Sequence, residues 1–418
     1  MTDEIKSLIE LKNRAKTKYK LDPSDGNRAK FKHLRNHCNK VCRNAQRRHI
    51  HKSVENGDPA KVWNFLKTLG VGKSDRNFLP NNINLNLLNC HFTSTVAFDV
   101  VNNIKANTLK TLSSLPTPNS PSFNFSQFSA CDVKKIILSI NSNAVGSDSI
   151  SRAMYIPVLD TILPVLTKIF NISVSFGVFH TDWKDAQIIP LPKKPNPNSF
   201  SDYRPISILP FLSKVLERLV YIQLNQYLCK NELFNPLQSG FHSGHSTVTA
   251  LVKITDDIRY NTDNRELTVL TLLDFSNAFN TVDHDILLAL LRSLNISPAV
   301  IDWFRSYLLG RRQRLKIDDS FSSWCNTLAG VPQGGVLSPL LFSIFINSIT
   351  QQLSSSYHLY ADDLQIYTSA SLSDIQRAIE STNADLSRIR DWSHSHGLVV
   401  NPAKTQVIII GNPQLYSR

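Results

Sequence analysis

From residue 266 onward, apolar and polar positions change repeatedly between strand-like and helix-like patterns. The segments LTVLTLLDF, HLYADDLQIYT and TQVIIIG predict strands, the second of them a pair of strands joined by a tight turn. Between them, DHDILLALLRSL, SPLLFSIFINSI and LSDIQRAIESTNADLSRIRDW predict helices. If the middle helix is an insertion, the order is the β-α-β-β-α-β order of a ferredoxin-like sheet in an α+β fold.

Capping residues support this order. Asp283 stands where it caps the helix after the first strand, and Ser371 with Asp374 forms a capping-box pattern before the last helix. Gly397 stands where that helix ends. We expect the first strand and the strand pair to be neighbours in the sheet.

The rest of the chain divides into segments of different composition. Residues 1–76 predict basic helices, which run to the apolar positions of DPAKVWNFLKTLG, and residues 77–128, rich in Asn, Ser, Thr and Pro, predict a flexible connector with little regular structure. Residues 129–265 predict helices and one extended segment punctuated by prolines. Residues 266–411 hold the sheet, and 412–418 form a tail.

The positive charge of the chain is concentrated at its N-terminal end. Residues 1–76 contain 19 Lys and Arg against 8 Asp and Glu, which gives +11 of the total formal charge of +13. This imbalance favours a polyanionic partner such as nucleic acid, although a solvated helical surface has the same composition. Cys38 and Cys42 lie near several histidines, but their spacing matches no common zinc pattern.

The sequence shows neither a signal peptide nor an apolar run of eighteen residues. We therefore expect an intracellular protein, in the cytoplasm, the nucleus or both, without a membrane partner.

Three carboxylates carry the candidate chemistry. Asp274 ends the apolar strand VLTLLD, and Asp362 and Asp363 stand together in the turn of YADDL. Asp is a common turn residue, so the pair alone is weak evidence. In the predicted sheet, however, all three converge on one edge, where a divalent cation such as Mg²⁺ or Mn²⁺ compensates their charge.

The order of several motifs resembles the reverse transcriptases of non-LTR (LINE-type) retrotransposons. LLDFSNAF, GVPQGGVLSPLLF, YADDL and GLVVNPAKT resemble the palm motifs, whereas KDAQIIPLPKK, DYRPISILP and QSGFHSGHSTVTAL resemble the fingers motifs. The resemblance runs from about 143 to 411. It implies a right-hand polymerase with fingers at 129–265 and a palm at 266–411, and with the helical thumb absent or truncated.

The resemblance also implies roles for single residues. Asp274, Asp362 and Asp363 match the catalytic metal ligands, helped by the backbone carbonyl of Phe275. The remaining matches concern substrate binding: Phe279 as the steric gate against a 2′-hydroxyl, Gln333 and Gly334 in the nucleotide pocket, Lys193 and Arg204 at the triphosphate (with Lys194 as a competitor), Tyr360 at the primer end, and Lys404 near the triphosphate. Arg311, Arg312 and Arg314 are candidates for the template backbone or for a solvated charge run.

Two functions remain open at this point. The resemblance implies an RNA-directed DNA polymerase that uses an RNA template, a DNA primer and dNTPs, with an endonuclease or another element-encoded protein as a possible partner in trans. The alternative is a truncated or domesticated copy that only binds nucleic acid. Intact Asp274, Asp362 and Asp363 favour the first function. Asn280, His242 and the missing thumb favour the second. Asn277, Asn280 and His242 each stand where the family usually has a charged residue.

Overall fold

The computed structural model describes residues 3–54, 83–94, 102–242 and 244–412, and the chain divides into two compact units, 1–77 and 78–418. In the first unit, helices α1 (Asp3–Leu21) and α2 (Asp25–Val54) pack together, and the ring of Tyr19 stacks on that of Phe31 at 6.1 Å. The predicted basic helices are confirmed over these residues. The segment DPAKVWNFLKTLG lies outside the described residues.

Two helices interrupt the predicted connector. Helix α3 (Leu85–Thr93) begins at Asn84, whose side chain accepts hydrogen bonds from two backbone amides of the first turn, and helix α4 spans Asn102–Ser113. Leu88 and Phe92 of α3 are buried in a small core. The prediction of little regular structure for 77–128 is therefore wrong for these residues, because helically spaced apolar side chains lie within the Asn-rich composition.

The next part of the second unit is mostly helical. Its elements are α5 (Ala130–Ser139), α6 (Arg152–Tyr155), α7 (Leu159–Phe176), β1 (Asp185–Pro192), β2 (Tyr203–Ile208), α8 (Phe211–Lys230) and α9 (Thr247–Asp263). The helical stretch 152–176 is long and apolar enough, by length and composition alone, to cross a membrane. Leu159, Leu166 and Phe170 from this stretch are buried in the main core, and a core helix of a soluble protein passes the same test.

The last part contains most of the strands. Its elements are β3 (Leu267–Leu273), α10 (Ala278–Thr281), α11 (His284–Ser293), α12 (Pro298–Leu308), β4 (Arg311–Ile317), β5 (Ser320–Phe321), β6 (Cys325–Thr327), α13 (Ser338–Asn347), β7 (Ser356–Tyr360), β8 (Asp363–Ala370), α14 (Ile375–His396) and β9 (Gln406–Ile410). Asp283 caps α11 as predicted, and Gly397 ends α14 with φ of 74°. Ser371 does bond Asp374, but a short 3-10 turn comes first and α14 begins at Ile375.

Two sheets organise these strands. The first sheet has the order β2-β1-β4-β5, with β6 also on β4, and the second sheet has the antiparallel order β7-β8-β3-β9. The second sheet confirms the predicted neighbourhood of the first strand and the strand pair, since β3 lies directly beside β8.

The main core supports the second sheet from its helical side. Trp303, Phe342 and Phe345 are fully buried, and α13, whose sequence is mostly apolar, is buried along nearly its whole length. Each such side chain contributes about 1.5–3 kcal/mol when it is fully removed from water. This packing fixes the elements that carry the candidate site.

Candidate active site

The second sheet brings the three aspartates to one edge. Asp274 follows the last residue of β3, and Asp362 and Asp363 lie at the turn between β7 and β8. The register pairs Leu273 with Leu364, so Asp274 and Asp363 occupy neighbouring positions on adjacent strands. The predicted convergence of these carboxylates follows directly from the sheet order.

The aspartate turn is clamped by a residue that the sequence argument missed. Ala361 has a positive φ of 58°, and Gln238 fixes it from both sides: Oε1 accepts from the Ala361 amide at 3.0 Å, and Nε2 donates to the Ala361 carbonyl at 3.2 Å. A Cβ on Gly240 would lie 2.1 Å from the Ala361 nitrogen, so only glycine fits there. The motif QSGF contains both Gln238 and Gly240, but their contacts with Ala361 are evident only in the folded chain.

The surroundings of Asp362 and Asp363 disfavour the ionised form of both carboxyl groups. Burial raises the pKa of Asp362, and the charges of Asp363 and Asp274 raise it further. Burial and Asp274 likewise raise the pKa of Asp363. Carboxylates in this situation are stabilised by a nearby cation.

Lys404 is the cation that the structure places beside them. Its Nζ donates to Oδ2 of Asp274 at 2.9 Å, and it lowers the pKa of both turn aspartates. Among residues 3–54, 83–94, 102–242 and 244–412, no three His, Cys, Asp or Glu side chains are arranged to hold a metal ion. The set of hard carboxylate oxygens still fits Mg²⁺ or Mn²⁺ in its chemistry, and a bound cation would compete with Lys404 for Asp274.

The basic residues predicted for the triphosphate lie in the same neighbourhood. Burial lowers the pKa of Lys193, and the positive charges of Arg204 and Lys404 lower it further, while Asp202 and Asp274 act in the opposite direction. Lys194 instead forms an ion pair with Asp202 at 3.0 Å. Because Lys194 is paired with Asp202, Lys193 is the better candidate of the two lysines for binding an anionic ligand.

The loop at Gln333 and Gly334 is held against the strand that carries Arg204. The amide of Ser207 on β2 donates to the Gln333 carbonyl at 2.7 Å, and a Cβ on Gly334, which has φ of 126°, would lie 2.6 Å from the Ser207 carbonyl oxygen. Gln333 also donates to Oδ1 of Asn280 at 2.9 Å. Asn280, one of the departures from the family pattern, therefore positions a candidate pocket residue.

The remaining site candidates are Phe275, Tyr360 and Phe279. Phe275 is buried and pairs through its backbone with Val400, and Tyr360 lies opposite Asp363 at the end of β7. The ring of Phe279 is half-buried, stacked on Phe342 with centroids 4.3 Å apart. Its partial exposure leaves both the steric-gate role and a packing role open.

Comparison with known protein families identifies the family to which this chain belongs. The family model described as reverse transcriptase (RNA-dependent DNA polymerase) matches residues 191–414, more than half of the chain. The chain belongs to the reverse transcriptase family. Members of this family generally use a divalent metal ion, which agrees with the carboxylate oxygens at the sheet edge.

Two relatives of this chain come from mobile elements. The chain is 31% identical over 309 residues to the probable RNA-directed DNA polymerase from transposon BS of Drosophila melanogaster, covering 71% of this chain and 33% of the relative. It is 29% identical over 311 residues to the RNA-directed DNA polymerase from mobile element jockey of the same species, with the same two shares. The predicted relationship to non-LTR retrotransposons is confirmed. The chain spans about a third of the length of these relatives.

A buried carboxylate, Glu217, supports the loop that follows Gln333 and Gly334. Glu217 on α8 is fully buried, and its Oε2 accepts from the amides of Val336 and Leu337 at 2.7 and 3.2 Å and from the Tyr307 hydroxyl at 3.2 Å. Its Oε1 accepts from Ser213 at 2.9 Å. Four donors compensate the buried charge, which also lies at the N-terminus of α13. The sequence offered no signal for this role.

The three arginines of β4 lie on two different faces of the strand. Arg311 is 4% exposed, and its Nε donates to the Tyr307 carbonyl at 2.7 Å, so its predicted place on a template backbone or in a solvated charge run is wrong. The strand alternation turns it inward. Arg312 and Arg314 lie on the opposite, accessible face.

Proposed function

We propose that this chain is an RNA-directed DNA polymerase that adds dNTPs to a DNA primer 3′ end on an RNA template. The observation that carries the proposal is the meeting of Asp274, Asp362 and Asp363 at one sheet edge beside the cluster of Lys193, Arg204 and Lys404. Such an arrangement of acidic and basic groups suits nucleotidyl transfer, where charge develops on phosphoryl oxygens.

The proposal assigns the second sheet to a palm and the first sheet, with its flanking helices, to fingers. We assign Asp274, Asp362 and Asp363 as ligands of Mg²⁺ or Mn²⁺. When bound, the divalent cation supplies Lewis-acid stabilisation and lowers the pKa of an attacking hydroxyl. Lys193 and Arg204 bind the triphosphate, and Arg204 is suited to bidentate contact with phosphate oxygens.

The remaining site residues position the nucleotide in this proposal. Gln333 and Gly334 line its pocket, the Phe275 carbonyl lies at the metal site, and Tyr360 contacts the primer end. Lys404 moves from Asp274 towards the triphosphate. The partners are RNA, DNA and dNTPs, with an endonuclease or another element-encoded protein acting in trans, and the setting is intracellular, in the cytoplasm, the nucleus or both.

A second candidate function is nucleic-acid binding without efficient polymerisation. The pair between Lys404 and Asp274 favours it, because this ion pair occupies one of the three carboxylates. Primer extension on poly(rA)/oligo(dT) with Mg²⁺ or Mn²⁺ separates the two functions. Extension supports the polymerase, whereas tight binding of the hybrid without extension supports the second candidate.

Replacing Glu217 by Gln is expected to raise the KM for dNTPs and to lower the free energy of unfolding. The amide nitrogen of the new glutamine would face N–H and O–H groups that now donate to the carboxylate of Glu217. The loss of each charge-assisted hydrogen bond costs about 1.5–3 kcal/mol. The exposed carboxylate of Glu380 provides the matched control, as Glu380→Gln. A variant that melts earlier but keeps the wild-type KM would assign Glu217 to stability alone.

Removing residues 1–76 is expected to weaken RNA binding and to flatten its salt dependence. Each phosphate that the protein no longer neutralises reduces the log-log salt slope by about 0.7 to 0.9. A milder variant, Arg43→Gln with Arg47→Gln, removes two exposed charges of α2 without deleting chain. Measurement of the dissociation constant between 50 and 200 mM salt, roughly the range where such slopes are read, checks this. An unchanged slope in both variants would mean that the segment binds no phosphates.

A further inference from the structure

Two cysteines meet between helix α3 and the short strand β6. Strand β6 pairs with β4 in the first sheet, where Cys325 lies opposite Gln313. Helix α3 packs against both of these strands, and its Cys90 thiol is hydrogen-bonded to the Cys325 thiol. Two thiols from distant parts of the chain are therefore in direct contact, and neither belongs to the candidate active site.

Hydrogen bonds fix α3 at this position on the sheet. The side chain of Asn89 is fully buried, donates to the carbonyls of Gln313 and Ser323 at 3.3 and 2.9 Å, and accepts from Nε2 of Gln313 at 3.0 Å. One turn earlier, Oδ1 of Asn86 accepts from the Ser323 amide at 2.8 Å. Residues three and four positions apart are neighbours on a helix surface, so Asn86, Asn89 and Cys90 lie on the same side of α3. The helix consequently presents Cys90 to β6 in a defined orientation.

The two thiols differ in exposure. Cys90 is exposed, whereas Cys325 is partly buried. Burial raises the pKa of Cys325, and the charge of Cys90 raises it further, while the side-chain hydrogen bond with Thr93 acts in the opposite direction. A small oxidant therefore reaches Cys90 first. Once the Cys90 sulfur is bound in a mixed disulfide it carries no charge, and the Cys325 thiol then ionises more readily.

Helix α3 also supports strands β1 and β2. Phe92 is buried in the small core together with Ile188 of β1 and Tyr203 of β2. The ring of His91 lies 5.8 Å from that of Phe200, which is in the short 3-10 turn before β2. A covalent link between α3 and β6 would therefore hold the helix that supports both strands.

We propose that Cys90 and Cys325 form a redox-sensitive modification site, at which a small disulfide such as oxidised glutathione converts the thiol contact into a disulfide bond between α3 and β6. In the first step, the Cys90 thiolate attacks one sulfur of oxidised glutathione, forms a mixed disulfide and releases one glutathione thiolate. In the second step, the Cys325 thiolate attacks the Cys90 sulfur, forms the protein disulfide and releases the second glutathione thiolate. The two cysteine protons end on the two released glutathiones, so two thiols are oxidised and one glutathione disulfide is reduced. This exchange requires no polymerase activity.

The test incubates the full, folded chain with an excess of oxidised glutathione and maps its disulfides by mass spectrometry of the unreduced peptides. We expect one peptide pair joined through Cys90 and Cys325, which dithiothreitol separates again. The cross-linked chain should melt at least about 4 °C higher than the reduced chain, because the disulfide restricts the unfolded chain. Mixed disulfides alone, a cross-link between two chains, or a cross-linked chain with an unchanged melting temperature would overturn the proposal.

Serine variants test the order of the two steps. Cys325→Ser should retain one glutathione on Cys90, whereas in Cys90→Ser the partly buried Cys325 should take up far less. Cys131→Ser with Cys229→Ser removes two exposed thiols elsewhere and should leave the disulfide between Cys90 and Cys325 unchanged. Loss of the cross-link in this control, or equal glutathione uptake by the two single variants, would also contradict the proposal.

Discussion

Asp362→Asn is expected to abolish primer extension while template binding and the fold persist. The substitution keeps the side-chain volume but removes one of three carboxylate charges at the sheet edge. A loss of about 4 kcal/mol of transition-state stabilisation lowers the rate about a thousand-fold. Single-turnover extension by wild type and variant, at saturating dNTP, measures the effect.

The melting temperature distinguishes a loss of catalysis from misfolding of the variant. Burial and two neighbouring carboxylates raise the folded-state pKa of Asp362, so its ionised form costs stability at neutral pH, and that cost disappears as the pH falls below the ordinary Asp value. The metal-free variant should therefore melt no lower than wild type at neutral pH. Asp391→Asn, an exposed carboxylate on α14, is the control. Wild-type extension by a folded Asp362→Asn protein would show that Asp362 is not a catalytic ligand.

Phe279→Ala is expected to admit rNTPs far more readily, with a smaller effect on dNTPs. In the steric-gate role, the ring excludes a 2′-hydroxyl by overlap, so its removal relieves a clash that only the ribose makes. The half-buried ring is consistent with an edge that reaches a ligand. The measurement is kcat/KM for one matched dNTP and rNTP pair.

The packing of Phe279 supplies the competing outcome. Its stack on Phe342 at 4.3 Å and its edge-on packing with Phe241 at 5.9 Å resemble those of a core ring. Truncation of a fully buried Phe costs about 3–5 kcal/mol and impairs both substrates together. Phe279→Tyr, which keeps the bulk, should keep the selectivity. A large fall in melting temperature with an unchanged dNTP-to-rNTP ratio would assign Phe279 to packing.

The sequence predicted the second sheet because its pattern is local. The apolar strand before Asp274, the hairpin of YADDL and the cap at Asp283 each depend on residues within one element, and the element order then places the strands. The helix Leu85–Thr93 was not predicted, because the Asn-rich composition of the segment indicated a connector more strongly than the spacing of Leu85, Leu88 and Phe92 indicated a helix.

The supports of the site were not predictable because they join distant positions. Gln238 and Ala361 are 123 residues apart, and Glu217 and Val336 are 119 apart. No repeat or short motif signals such a pairing. Glu217 requires hydrogen-bond donors because it is buried, and this burial exists only in the folded chain.

Template-dependent synthesis tests the proposed roles of the site residues most directly. The measurement is extension of a DNA primer on a heteropolymeric RNA of defined sequence, with the four dNTPs and Mg²⁺, followed by sequencing of the product. We expect a DNA product complementary to the RNA, and we expect no product when the template is omitted or when the Asp362→Asn variant is used. A chain that binds the hybrid but yields no complementary DNA, with Mg²⁺ or with Mn²⁺, would contradict the proposed polymerase function.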